Sequence, residues 1–250
     1  MKITYQIMIK FFRKIRQRLL SENKFSKYFI YAIGEIILVV IGILLALQLN
    51  NLKEQKNILK QERNALELIQ DNLKKEINDL DRFVSQRISD TTYLKDVYYK
   101  NWEGIPLDSL GLKGTSAFNY KSFNTAYEGL KSNDKLFIIQ NENLKEKIIF
   151  YYEQQRYQLL DWSDWHRTFV YRDLENYMFT ELPINPNELI DDLDFLKTKL
   201  EERRLKSLIS NQIGSLRRIN HTINEGKVYA NEIIDLIDKE IDTRWRTSDE

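Results

Sequence analysis

One ionisable residue interrupts the most apolar stretch of the chain. Glu35 lies within Tyr28–Leu49, where the other departures from apolar character are Gly34, Gly42 and Gln48. A carboxylate near the middle of a bilayer costs roughly 2.5–3.5 kcal/mol on insertion scales. An acid placed there is protonated, faces another protein segment, or moves protons. Glu35, Gly42 and Leu49 recur every seven residues and share one helical face. Gly42 and Ala46 form a small-x-x-x-small pair, which lets a second helix approach closely. Two chemistries stay open. One is an oligomer contact or a snorkelling acid. The other is a proton relay, as in small ion-driven energiser and stator subunits, which combine a short basic tail, one span with an acid and a periplasmic domain.

The remaining chemistry-bearing residues point away from catalysis. There is no cysteine, which removes disulfides, thiolate metal sites and cysteine nucleophiles. The two histidines, His166 and His221, lie 55 positions apart, and neither belongs to a metal-ligand spacing. His166 falls in an apolar stripe, the place of a hydrogen-bonded core histidine. No Gly-rich phosphate loop and no G-x-S-x-G is present. The reading is therefore no enzyme, no cofactor and no metal. One aromatic concentration could bind a partner: Trp162, Trp165 and Tyr171, with Arg167 among them. Trp, Tyr and Arg dominate interface hot spots; the same residues also suit an ordinary aromatic core with Arg stems lying over it.

A row of leucines orders the elements that carry these residues. Leu38, Leu45, Leu52, Leu59, Leu66, Leu73 and Leu80 are spaced by seven, so a helix keeps them on nearly one face. The row begins in the apolar run and continues into charged sequence, which predicts one helix that crosses a membrane and emerges as a packing stem through about Lys100. Tyr28–Leu49 would cover roughly 33 Å, enough for a hydrocarbon core of about 30 Å. Beyond it the second seam is uneven. Gln55 and Glu62 are polar before Ile69, Ile77, Phe83, Val84, Ile88 and Leu94 fill in. Packing within the domain is favoured over a two-stranded zipper, which needs apolar residues at both seams.

Charge sets the orientation. Residues 1–27 carry eight Lys and Arg against Glu22 alone, a net +7, while residues 51–250 carry a net −5 within an overall +1. The positive-inside rule places 1–27 in the cytoplasm, 28–50 across the bilayer and 51–250 outside the cytoplasm. Met8, Phe11, Phe12, Ile15 and Leu19 recur at helical spacing between the basic residues. Residues 8–27 thus read as an amphipathic helix on anionic lipid headgroups, or as a topogenic charge cluster. Nucleic acid is not an expected partner. Gln48-Leu49-Asn50-Asn51 does not resemble a small-x-small cleavage site, so the span reads as an uncleaved signal anchor.

The segments Met8-Ile-Lys-Phe-Phe-Arg-Lys-Ile-Arg and Tyr31-Ala-Ile-Gly-Glu-Ile-Ile-Leu-Val-Val-Ile-Gly-Ile-Leu-Leu-Ala-Leu-Gln-Leu-Asn-Asn51 resemble the opening of an uncharacterised membrane-protein family. That family is common in marine and soil Bacteroidota and carries a domain-of-unknown-function label. The likeness covers about residues 8–52, with weaker echoes at Thr125–Ser132, at Leu136–Leu144 and in the helical C-terminus. It implies a single-pass envelope protein and carries over no catalytic or binding residue; with the charge pattern, the expected location is the bacterial inner membrane. Met8 matches the family's usual start better, which reads residues 1–7 as an extension or a misassigned start.

The rest of the chain reads as helical. Asn101–Thr115, with Gly104, Pro106, Gly111 and Gly114, is expected to be a loop. A short helix follows over about 117–131, then a turn at Ser132-Asn133-Asp134. Asn141 or Asn143 caps an amphipathic helix that runs to about Thr180. Asn185, Pro186 and Glu188 have the spacing of a helix start, which predicts a last helix over about 187–242. Its seam is Ile209, Leu216, Ile223, Ala230 and Ile237. A companion row, Ile213, Ile234 and Ile241, also includes the polar Asn220 and Lys227. Gly226 is a candidate bend. The expected fold is all-α: a single transmembrane helix continuing into an elongated antiparallel helical bundle. Three roles fit it: a structural or interaction subunit of an envelope complex, associated with itself or with another membrane protein; an extracytoplasmic ligand sensor that signals through a partner; and an ion-coupled subunit using Glu35.

Overall fold

The computed structural model describes residues 25–245 and, before them, Arg13 and Gln17. Among the described residues the protein is all-α, with no strand. The described residues fall into two units, one up to Lys60 and one from Gln61 onward. Helix α1, Phe25–Tyr99, contributes to both without a break.

In the first unit the leucine row stands open: Leu38, Leu45 and Leu52 are 72, 56 and 55% exposed. Among the described residues, this is the one helix long and apolar enough to cross a membrane. Apart from Arg13, Gln17 and the backbone of 25–27, the basic segment 8–27 lies outside the described residues.

In the second unit the same row turns inward. Leu66 and Leu73 are fully buried and Leu80 is 2% exposed. They pack inside their own domain, as the uneven second seam suggested. The helical period does not change between the units; the partners of the row do.

Helix α2 is Leu110–Gly114, α3 is Thr125–Ser132, α4 spans 142–181, α5 is Leu193–Lys199 and α6 is Arg203–Arg244. Cross-links give the register. Glu62 meets Arg244, Gln70 meets Asp238 and Asp81 meets Lys227. As numbers rise along α1 they fall along α6, so the two helices are antiparallel. Lys147 with Glu232, Trp162 with Arg218 and His166 with Gln212 show that α4 is likewise antiparallel to α6. The connection through 100–141 runs back beside α1: Phe118 packs on Phe83, Tyr120 reaches Glu76 and Gln140 reaches Glu62.

The caps explain several boundaries. α1 ends where Lys100 turns left-handed at φ 65° and the Asn101 amide reaches back to Asp96 O at 2.9 Å, a Schellman closure. Asp134 closes α3 in the same way, with Lys135 N on Leu130 O at 2.8 Å. Of the two candidate caps for α4, Asn141 is the one used, accepting from Leu144 N at 3.1 Å.

Three expectations are corrected. The breaker-rich stretch 101–115 is not wholly a loop: it holds a 3-10 turn, Leu107–Ser109, and α2. Of its glycines, Gly104 takes a left-handed φ of 76° and Gly111 serves close packing. A Cβ on Gly111 would lie 2.8 Å from the Glu188 carbonyl oxygen. The helix expected from about 117 begins only at Thr125. Before it, Phe118 and Tyr120 are buried and Asn119 and Lys121 are exposed, an extended alternation. The amides of Phe118 and Tyr120 donate to His166 Nδ1 and Ser163 Oγ instead of to a helix. Lastly, Asn185 does not start a helix. Its Oδ1 accepts from the amides of Asn187 and Leu189, and Glu188 is left-handed at φ 63°. A left-handed residue cannot continue a right-handed helix, so 184–190 closes as a tight loop. Asp192 caps α5 through Phe195 N, and α6 begins at Arg203. Gly226 sits inside α6, buried near Leu159.

Candidate interaction surface

The span residues come first. Glu35 is half-buried, while Gly42 and Ala46 are exposed one turn apart. A Cβ placed on Gly42 meets nothing within 4 Å, so this small-residue face is open to a second helix.

The aromatic candidates all lie on α4. Trp162 and Trp165 meet edge to face at 5.6 Å, and Trp165 stacks on Phe169 at 5.7 Å. Trp162 is half-buried beneath the Arg218 guanidinium, 5.6 Å from its ring. Trp165 is 47% and Tyr171 55% exposed, each a large apolar face in water. Arg167 is exposed and bound to Asp164 at 2.8 Å. The structure thus joins Trp162 to Trp165 and sets Arg167 and Tyr171 further along the same helix. Phe179 and Tyr157, 50 and 49% exposed, extend the apolar character of α4.

Two π-helical turns, Tyr151–Gln155 and Val170–Glu175, interrupt α4. The first allows consecutive residues to face inward: Tyr151 and Tyr152 are both fully buried. In a regular helix neighbours point about 100° apart, and a widened turn relaxes that constraint. Tyr152 stacks on Tyr127 at 4.6 Å.

Beneath this helix lie polar centres that pattern reading missed. Glu76 is buried, and its Oε1 accepts from the hydroxyls of Tyr120 at 2.5 Å and Tyr151 at 2.6 Å. Its Oε2 accepts from the Phe123 amide at 3.3 Å. Burial raises the Glu76 carboxyl above its ordinary range, against the downward pull of these donors. Tyr120 and Tyr151 are pushed up as phenols, chiefly by burial and then by the neighbouring carboxylate.

His166 is fully buried, as its place in the stripe indicated. Its Nδ1 accepts from Phe118 N at 2.8 Å, which leaves Nε2–H to donate to Gln212 Oε1 at 2.8 Å. The Gln212 amide in turn donates to the carbonyls of Gly114 and Ser116. Burial holds the imidazole below its usual pKa, so the neutral ring is a positioning element for the extended segment. Among the described residues there is no cluster of three or more His, Cys, Asp or Glu that could hold a metal ion.

Comparison with protein-family models, curated proteins and solved structures gives no match for this chain.

Proposed function

We propose that the protein is a single-pass, membrane-anchored structural or interaction subunit of a bacterial envelope complex, without catalytic activity of its own. The observation that supports this reading is α1. One unbroken helix supplies an exposed apolar span and then the buried core of a helical domain. The net +7 of residues 1–27 favours a cytoplasmic N-terminus in contact with anionic lipid, with residues 51–250 in the periplasm. The resemblance of residues 8–52 to a Bacteroidota family of membrane proteins is in keeping with that placement. Trp165 and Tyr171 on α4 are the partner-facing residues of the domain. Gly42 and Ala46 are the contact within the bilayer, to a second copy or to another membrane protein.

Purification of the intact chain from native membranes tests the proposal. A stoichiometric partner should accompany the wild-type protein and be lost from Trp165→Ala/Tyr171→Ala, with far-UV circular dichroism and Tm unchanged. An unaltered set of associated proteins would refute the assignment of this surface.

A further inference from the structure

A polar residue interrupts a helical seam on α1 and another interrupts one on α6, and the two lie opposite each other. On α1 the row Leu66, Leu73, Leu80 continues at Arg87 before Leu94 restores it. On α6 the companion row Ile213, Ile234, Ile241 is interrupted at Asn220 and at Lys227; Lys227 is paired with Asp81, Asn220 is not. The pairs Glu62–Arg244, Gln70–Asp238 and Asp81–Lys227 fix the antiparallel register, and continuing it brings Arg87 level with Asn220. Both line a cleft of about 290 Å³ between the helices. No α1 residue from 81 to 92 is fully buried, although the helix buries residues regularly on both sides of that stretch.

Each interrupting residue has a buried polar atom with no partner: Arg87 Nε and Asn220 Oδ1. A buried polar atom left unsatisfied keeps its full desolvation penalty, so native structures rarely leave one without a role. Asp90 holds Nη1 of Arg87, which leaves the edge formed by Nε and Nη2, the geometry that grips a carboxylate with two parallel hydrogen bonds. Lys95 and Arg217 also line the cleft. The remaining wall is mostly apolar, from Phe83, Val84, Ile88, Ile213 and Leu216, with the hydroxyl-bearing Thr91 and Thr92 beside them.

We propose that this cleft is a binding site for a small organic acid: a carboxylate on an apolar body of about ten non-hydrogen atoms, the size set by a volume equal to about ten waters. The carboxylate lies on the free edge of Arg87 in the field of Lys95 and Arg217. The apolar body lies along Ile88, Ile213 and Leu216. A hydrogen-bond donor on the ligand, or a retained water, satisfies Asn220.

The test uses the full chain in lipid nanodiscs, titrated calorimetrically with 3-phenylpropionate, 3-phenylpropanol and inorganic phosphate, with empty nanodiscs as the control for partitioning. 3-Phenylpropionate should bind saturably at one site, at least tenfold more tightly than the neutral alcohol or phosphate. Arg87→Lys, which keeps the charge but loses the fork, and Arg217→Gln, at an exposed position, should each weaken binding at least fivefold. Arg87→Leu/Asn220→Ile, which makes both facing positions apolar, should abolish binding and raise Tm. Absence of saturable binding, equal affinity for phosphate or the alcohol, or undiminished affinity in both single variants would overturn the proposal. A lower Tm in the double variant would also overturn it, since the polar pair would then serve the fold.

Discussion

Glu62 and Arg244, 182 positions apart in the chain, meet in a two-pronged ion pair. Arg244 Nη1 donates to Oε1 at 3.0 Å and Nη2 to Oε2 at 2.9 Å. The Glu62 side chain has no solvent exposure, and its Oε1 also accepts from the Gln140 amide. One carboxylate therefore ties α1 to the last turn of α6 and to the residue just before the cap of α4. Arg244→Ala leaves that carboxylate buried without its counter-ion. Losing one partner of a buried pair costs about 3–5 kcal/mol, and the partial exposure of Arg244 places this case near the lower figure. Urea unfolding of the variant should show the loss as a lower midpoint. A change under 1 kcal/mol would mean that the pair adds little to the closure of this end.

Glu76 makes stability depend on pH with a definite sign. Its folded pKa is raised, chiefly by burial, so the folded protein holds this proton more tightly than the unfolded chain does. The stabilising contribution is complete below the ordinary value of 4.5 and is lost as pH rises through the folded pKa. Wild-type stability should therefore fall relative to Glu76→Gln as pH rises above 4.5. The fall is about 1.4 kcal/mol for every tenfold difference in proton affinity between the folded and the unfolded carboxyl. Thermal unfolding of both proteins across that range measures the difference. A difference that grows in favour of the wild type as pH rises would show that the Tyr120 and Tyr151 hydroxyls outweigh burial.

Three glycines separate helix propensity from packing. Gly214 and Gly226 lie inside α6, where a Cβ would meet Arg218 at 3.9 Å and Leu159 at 3.6 Å, ordinary contacts. Alanine at either position should stabilise the domain by up to about 1 kcal/mol. Gly111 is different, because the atom in the way is a backbone oxygen at 2.8 Å. Gly111→Ala must push the 184–190 loop off α2 and should cost about 1–3 kcal/mol. Matched Tm measurements on the three variants decide it, and a stabilising Gly111→Ala would refute the packing role.

Periodicity was the legible part of this fold. Leu66, Leu73 and Leu80 on α1, and Ile209, Leu216, Ile223, Ala230 and Ile237 on α6, are all buried, because a seven-residue repeat on a 3.6-residue helix gathers them on one face that can pack as a unit. Local signals failed where tertiary partners overrode them. Asn185 had the chemistry of a cap, but left-handed Glu188 stops any helix there. The segment 115–124 gave up helical bonding because His166 and Ser163 on α4 offered its amides other partners. Glu62 and Glu76 fall seven either side of buried Ile69, so an acid in an apolar row was the available signal for both polar centres. Their partners, Arg244 and the pair Tyr120 and Tyr151, lie too far off in sequence for spacing to pair them. The aromatic surface was visible in composition, but which rings stay in water depends on the π turns of α4, and no residue pattern announced those.

The leucine row offers a last prediction, because it divides by environment without any change in spacing. Leu45 and Leu52 are exposed in the first unit, and Leu66 is fully buried in the second. If the span self-associates through the row, single cysteines at Leu45, Leu52 and Leu59 should form intermolecular crosslinks in native membranes, with weaker yields at the positions between them. Association through the Gly42 and Ala46 face would shift the maxima to positions flanking those residues, and Gly42→Leu would then suppress the crosslinks while leaving Leu66→Cys unreactive in both proteins. Efficient crosslinking at Leu66 would mean that the packed bundle opens to exchange partners. No crosslink at any position would rule out self-association of this apolar segment.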